Sequence, residues 1–174
     1  MRLIIIITLL TIQQTFGQGQ KFEIKEANMI FQVPNKEWSL ATKKEGDLVS
    51  YIFKRNPVTD SNGRKIIPAM MIYVEDAADY DQDVTMYTIN KRLQFQVDVD
   101  KMMIHENENY PISYKNSIVT MCRYSDGGLD HILYMIHIIT KENKGIQIYM
   151  DMTKDLVGEY EQEFWEAMKS IKEI

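Results

Sequence analysis

Along this chain the hydrophobic pattern switches between a period of two and a period near three and a half, and the switches predict its elements. Residues 130–174 show this most clearly. From 131 to 140 both alternating sets are apolar, Leu133, Met135 and Ile139 against Ile132, Tyr134, Ile136 and Ile138. That is the pattern of a central strand covered on both faces. A polar turn at 141–144 leads into 145–153, where Ile146, Ile148, Met150 and Met152 alternate with Gln147, Tyr149 and Asp151. The alternation predicts a half-exposed strand. The spacing then turns helical over 154–171, with Val157, Tyr160, Phe164, Met168 and Ile171 in one stripe that Trp165 broadens. Acidic residues near its start and Lys169 and Lys172 near its end suit the helix dipole.

Upstream, 22–33 reads as an entering strand that Pro34 ends, because proline cannot donate to a ladder. Two strands at 38–42 and 48–55 follow, joined by the turn Lys44-Glu45-Gly46-Asp47. A polar loop at 56–65 carries an Asn62-Gly63 turn, and 66–74 is again apolar on both faces. Met86, Ile89, Leu93 and Val97 recur at helical spacing, which predicts a helix over 83–97 capped by Asp83 or Asp81. Short and long strands are expected at 102–104 and 117–124, the second turning back at Ser125-Asp126-Gly127-Gly128. Strands apolar on both faces need a covering layer on each side. The pattern therefore predicts an α+β fold: an antiparallel β-sheet with helices packed on both faces, an α/β/α sandwich, closing with a C-terminal amphipathic helix.

The first residues change the picture of where the protein works. Met1-Arg2 is a short positive start, 3–12 is an apolar run, and Thr15-Phe16-Gly17 is a small-residue cleavage site. The run is about half the roughly 20 residues that span a bilayer. The expectation is a cleaved signal peptide over 1–19 and a single domain over 20–174, exported to the periplasm or the extracellular space, with no transmembrane anchor after cleavage. The full chain has 174 residues, enough for one domain with a sizeable core. Its net charge is −5 and its basic residues are scattered, so no nucleic-acid surface is expected.

Candidate chemistry is sparse. Cys122 is the single cysteine, so no intramolecular disulfide can form, and its alternation with Ile118, Thr120 and Tyr124 makes it a buried small hydrophobe. His131 and His137 share one strand face but lie about 20 Å apart, too far to ligate one metal, and His105 alone adds no site. His137 is expected to be partly buried and hydrogen-bonded. Asp79, Asp81 and Asp83 are spaced like the start of a calcium loop, but Val84 and Asn90 stand where the glycine and the bidentate glutamate belong. Their expected role is to cap the next helix. Twelve methionines raise copper(I), yet Met70, Met135, Met150, Met152 and Met168 all fit core stripes, and an apolar ligand groove suits them better. Ser125, Asp126, Asp130 and His131 are adjacent in sequence, which is not the geometry a catalytic triad requires. No catalytic, metal or cofactor residues are assigned.

Phe31-x-Val33-Pro34, then Trp38, then Tyr51-x-Phe53-x-Arg55, resembles the opening of PsbP-like and DcrB-like exported domains, and Phe164-Trp165-x-x-Met168-x-Ser170-Ile171 is similar to their closing helix. The resemblance spans the chain from about Phe22 onward. It implies the Mog-type fold, an antiparallel sheet with helices on both faces, and an accessory binding role without a fixed ligand. The resulting expectation is an exported, non-catalytic interaction module that binds an envelope protein partner or a hydrophobic ligand. The alternatives are a small exported hydrolase using carboxylates, or a small-molecule or metal-binding protein.

Overall fold

A computed structural model describes residues 19–174 apart from position 47. Residues 1–18, which hold most of the expected signal segment, and the turn residue Asp47 lie outside the described residues. The chain forms β1 (Lys21–Ile24), β2 (Met29–Gln32), β3 (Trp38–Lys44), β4 (Val49–Arg55), β5 (Val58–Thr59), β6 (Lys65–Ile66) and β7 (Ala69–Asp76), then α1 (Val84–Arg92). It continues with β8 (Asp98–Ile104), β9 (Ser117–Asp126), β10 (Leu129–Ile139), β11 (Lys144–Thr153), α2 (Val157–Ser170) and β12 (Lys172–Glu173). Seven strands make one antiparallel sheet in the order β3-β4-β7-β11-β10-β9-β8, and β1-β2-β12 make a smaller one. The class is α+β: mostly antiparallel sheet, with a C-terminal helix and one other helix.

The order of elements predicted for 130–174, strand, turn, strand and helix, is the order that forms. β10 and β11 pair from His131↔Thr153 to Ile139↔Gly145. Gly127 and Gly128, with φ of 55° and 77°, supply the two left-handed positions that a tight β9–β10 hairpin needs. Met70, Ile72, Ile136, Ile138, Ile148 and Met150 gather under Phe164, Ala167 and Met168 of α2 in the main core. Burial of this face is the principal apolar term in the fold.

The N-terminal pair and α2 are locked to the sheet edge by the aromatic landmarks. Phe31 lies 5.2 Å from Phe53 and Trp38 lies 6.0 Å from Phe164. The Ser170 hydroxyl accepts the Gln32 amide at 2.9 Å and donates to the Ala167 carbonyl at 2.6 Å. The landmark residues thus mark a packing interface.

Three expectations need correction. The stretch 22–33 is two strands, with a 3₁₀ turn at Lys25–Ala27 and Asn28 in the left-handed region (φ 50°) between them. The expected central strand, β10, does lie inside the sheet, between β11 and β9, and is buried on both faces. β11 is covered on both faces, Gln147 and Tyr149 included, because aromatic rings from the α1 region lie over its second face. The helix expected over 83–97 ends at Arg92 and buries a different side: Tyr87 and Thr88 face inward, while Met86 and Leu93 are 48% and 66% exposed. The reason is Tyr87. Its ring seats on Gly145, the one residue type whose lack of a side chain leaves room, since a Cβ there would stand 2.6 Å from the Tyr87 oxygen. Asp83 does cap α1, accepting the Met86 amide at 2.9 Å. No helix among the described residues is long and apolar enough to cross a membrane.

Candidate functional site

Because strand side chains alternate, the residues between the core positions emerge on the other side of the sheet. There, Met71 stands opposite Tyr149 and Tyr149 opposite Met135, and the next row runs Asp151–Leu133–Cys122. Cys122, Leu133, Met135 and Tyr149 are buried as a second cluster, against which Met71, Tyr73, Val97 and Tyr124 pack. α1 lies over β9 and β10 on this side. The segment that follows it brings Phe95 across the sheet, its ring 5.0 Å from that of Tyr149.

Phe95 divides a groove into two lobes. The first, about 310 Å³, is lined by Met71, Phe95, Val97, Leu133 and Tyr149, with Tyr124, Gln96 and Asp151 at its polar end. The second, about 330 Å³, shares Met71, Phe95 and Tyr149 and ends at Glu75, Lys91 and Gln147. Both fall at the lower end of the size range of small-molecule sites, and the first has the apolar lining typical of them.

Each lobe ends in a carboxylate, and the two are satisfied differently. Glu75 Oε1 receives Lys91 Nζ at 2.6 Å, the Tyr87 hydroxyl at 2.8 Å and Gln147 Nε2 at 2.8 Å. Its charge is met by a lysine. Asp151 Oδ1 accepts the Tyr124 hydroxyl at 3.0 Å and stands 3.1 Å from His131 Nδ1, while Oδ2 has only the same imidazole nitrogen at 3.3 Å. Among the described residues no lysine or arginine forms an ion pair with Asp151. His131 in turn stacks on Tyr124 with ring centroids 4.6 Å apart. Burial, with the nearby Asp151 charge, pushes the Tyr124 hydroxyl well above the ordinary phenol range, and burial does the same to Tyr149. Both stay protonated, as donors.

The residues singled out from sequence are dispersed. His131 joins Asp151, whereas His137 is fully buried between the edges of Tyr87 and Tyr149, at 5.8 and 6.2 Å. His137 differs from expectation: no group among the described residues hydrogen-bonds either ring nitrogen, and burial, with Lys91 adding to it, lowers its pKa to about 3. His105 packs on Tyr110 instead. The Ser125 hydroxyl donates to Asp130 at 2.7 Å while His131 turns to Asp151, so no triad assembles. Among the described residues no three His, Cys, Asp or Glu side chains gather as a metal site. Met70, Met135, Met150, Met152 and Met168 are core residues, and it is Met71 that lines the groove. Cys122 is buried beside Met135, with sulfur atoms 3.7 Å apart.

Sequence reasoning missed Asp151, Phe95 and Tyr149. The available signal was an acid between Met150 and Met152, next to a strand that is apolar on both faces.

The fold defines an α+β domain that is similar to several solved structures. Three of these are a Bacteroides thetaiotaomicron protein, a Pseudomonas aeruginosa protein of unknown function, and the Saccharomyces cerevisiae Ran-binding protein Mog1p. Their TM-scores are 0.53, 0.53 and 0.54 at 13%, 14% and 8% identity, over 90%, 91% and 88% of this chain. The chain spans 49% of the Bacteroides protein, 99% of the Pseudomonas protein and 94% of Mog1p. At these identities the likeness concerns the fold alone. Neither a protein-family model nor a curated protein sequence matches the chain.

Proposed function

We propose that this protein is an exported, non-catalytic binding module, a PsbP-like α/β/α sandwich over 20–174, that holds a hydrophobic ligand in the groove beneath Phe95. The observation that carries the reading is the first lobe itself: a cavity walled by Met71, Val97, Leu133, Phe95 and Tyr149 with a single carboxylate at its end. Apolar walls with few convergent polar groups are what small-molecule sites have in common. The non-catalytic part rests on the tyrosines that line it, which burial moves away from the range where an acid or base works near neutral pH. Export rests on the charged and apolar pattern of the first residues.

Titration with the neutral fluorophore N-phenyl-1-naphthylamine tests the groove. Saturable one-to-one binding that Phe95→Asp abolishes, with the near-ultraviolet circular dichroism retained, is the expected result. Binding that is unsaturable or indifferent to Phe95→Asp removes the reading. N-terminal sequencing of the native protein should begin near Gln18 to Gln20, and retention of Met1 would refute cleavage.

A second reading, an envelope protein partner, is favoured by a separate observation. The apolar stripe of α1 (Met86, Ile89, Leu93) faces water, as do Val99, Met102 and Ile104 of the edge strand β8. Exposed Asp98, Glu106 and Glu108 flank this surface, so the partner that fits is an apolar face rimmed by basic residues. Leu93→Glu should abolish recovery of a stoichiometric basic-rimmed partner from the native envelope fraction and leave groove binding intact.

A further inference from the structure

The two ends of the groove differ in charge balance, and that difference identifies the head group of its ligand. Glu75 is met by Lys91 and two neutral donors on one oxygen. It has no need of a ligand cation. Asp151 is the one charged residue lining the first lobe. Its partners are a phenol and an imidazole, and its side chain keeps 23% of its surface exposed. A carboxylate offers about four acceptor positions; Oδ1 takes two contacts and Oδ2 only the longer one to His131.

We infer that the ligand is a hydrophobic amine, whose ammonium group sits at Asp151 and whose apolar body runs along Leu133, Val97 and Met71 beneath Phe95. The inference rests on the groove being the binding site. Three features favour a cation over the alternatives. A fatty carboxylate would place its charge against Asp151 with no lysine or arginine paired there to offset it. A neutral alcohol would add no countercharge to a carboxylate whose partners are a phenol and an imidazole. An ammonium brings a full countercharge together with its hydrogen bond, and the Tyr124 ring beside Asp151 adds an aromatic neighbour for a cation.

Calorimetric titration of the full protein with octylamine, 1-octanol and octanoate separates the possibilities. Octylamine should bind about tenfold more tightly than octanol, with octanoate weakest. Asp151→Asn should bring octylamine down to the octanol affinity, with retained near-ultraviolet circular dichroism showing that the variant is folded. Phe95→Ala should weaken the amine and the alcohol together. If octanol binds as well as octylamine to the unaltered protein, the amine assignment fails while the groove stands. Amine affinity that survives Asp151→Asn also overturns it. If none of the three binds, the groove reading falls and the inference with it.

Discussion

Arg55 and Glu163 meet fork to fork, the guanidinium donating to the two carboxylate oxygens at 3.0 and 3.1 Å. The same carboxylate also accepts Trp38 Nε1 at 2.6 Å and Asn35 Nδ2 at 2.9 Å. Tyr160 stands 4.5 Å beneath the guanidinium. Asn35, Trp38 and Arg55 therefore converge on one side chain of α2, and both charged partners are largely shielded from water, at 12% and 16% exposure.

Removing that acceptor should loosen α2 from the sheet edge. Glu163→Ala leaves Arg55 without its ion-pair partner and Trp38 Nε1 without its acceptor. The expected loss is about 3 kcal/mol, at the lower end for a broken buried pair because some water reaches it. Urea unfolding followed by tryptophan fluorescence measures it. A loss below about 0.5 kcal/mol would mean the cluster contributes no more than a surface pair.

The seat of Tyr87 on Gly145 leads to a second expectation. Gly145→Ala places a methyl group 2.6 to 2.9 Å from the Tyr87 ring and oxygen, too close for either to stay. Overpacking of this kind costs about 1–3 kcal/mol. Hydrogen exchange should show α1 losing protection more than α2 does. Equal loss in both helices would show that Tyr87 is not what holds α1 down.

Acid should act through His137. Its folded pKa of about 3 lies below the ordinary value of 6.5, so the unfolded chain binds the proton first. Stability is unaffected by this group above about pH 6.5 and falls as pH drops from there toward 3. His137→Phe removes the site while keeping a flat ring between Tyr87 and Tyr149. Relative to the parent, the variant should gain on the order of 2 kcal/mol between pH 8 and pH 5, by the 1.36 kcal/mol that each pKa unit carries. Parallel stability curves for the two proteins would contradict this.

Cys122 should be silent toward thiol reagents in the folded protein. It is fully buried, and burial pushes its thiol up to about 11, which suppresses the reactive thiolate. Reaction with a disulfide reagent should proceed at the unfolding rate and accelerate in urea. Rapid labelling of the native protein would show that its strand opens locally.

The main core was legible because its signal is local: Ile136, Ile138, Ile148 and Met150 announce themselves by alternation alone. α2 was legible for the same reason, at helical spacing. α1 misled because hydrophobicity and burial part company there. Its inward side is a tyrosine hydroxyl, a threonine and the stem of Lys91, held by Gly145 and Glu75 from strands far away in sequence. The groove was illegible for a related reason. Phe95 reaches Tyr149 across the sheet, and Asp151 reads as an exposed strand position until the register places it beside Leu133 and Tyr124. Pairing partners set such sites, and a single sequence does not display them.

The small sheet carries a consequence for assembly order. β12 adds to β2, the Ile174 amide reaches the Asn28 carbonyl at 3.0 Å, and Gln32 and Ser170 bond across 138 positions. Hairpins such as β9–β10 can close early, over short loops, but this clasp joins the two ends of the described chain and must close late. Until then the inner edge of β2 and the aromatic rings beside it stay uncovered. A chain emerging from a ribosome or a membrane channel would present that unclosed seam to chaperones throughout its passage, and would become resistant to them only once residues 170–174 have joined β2.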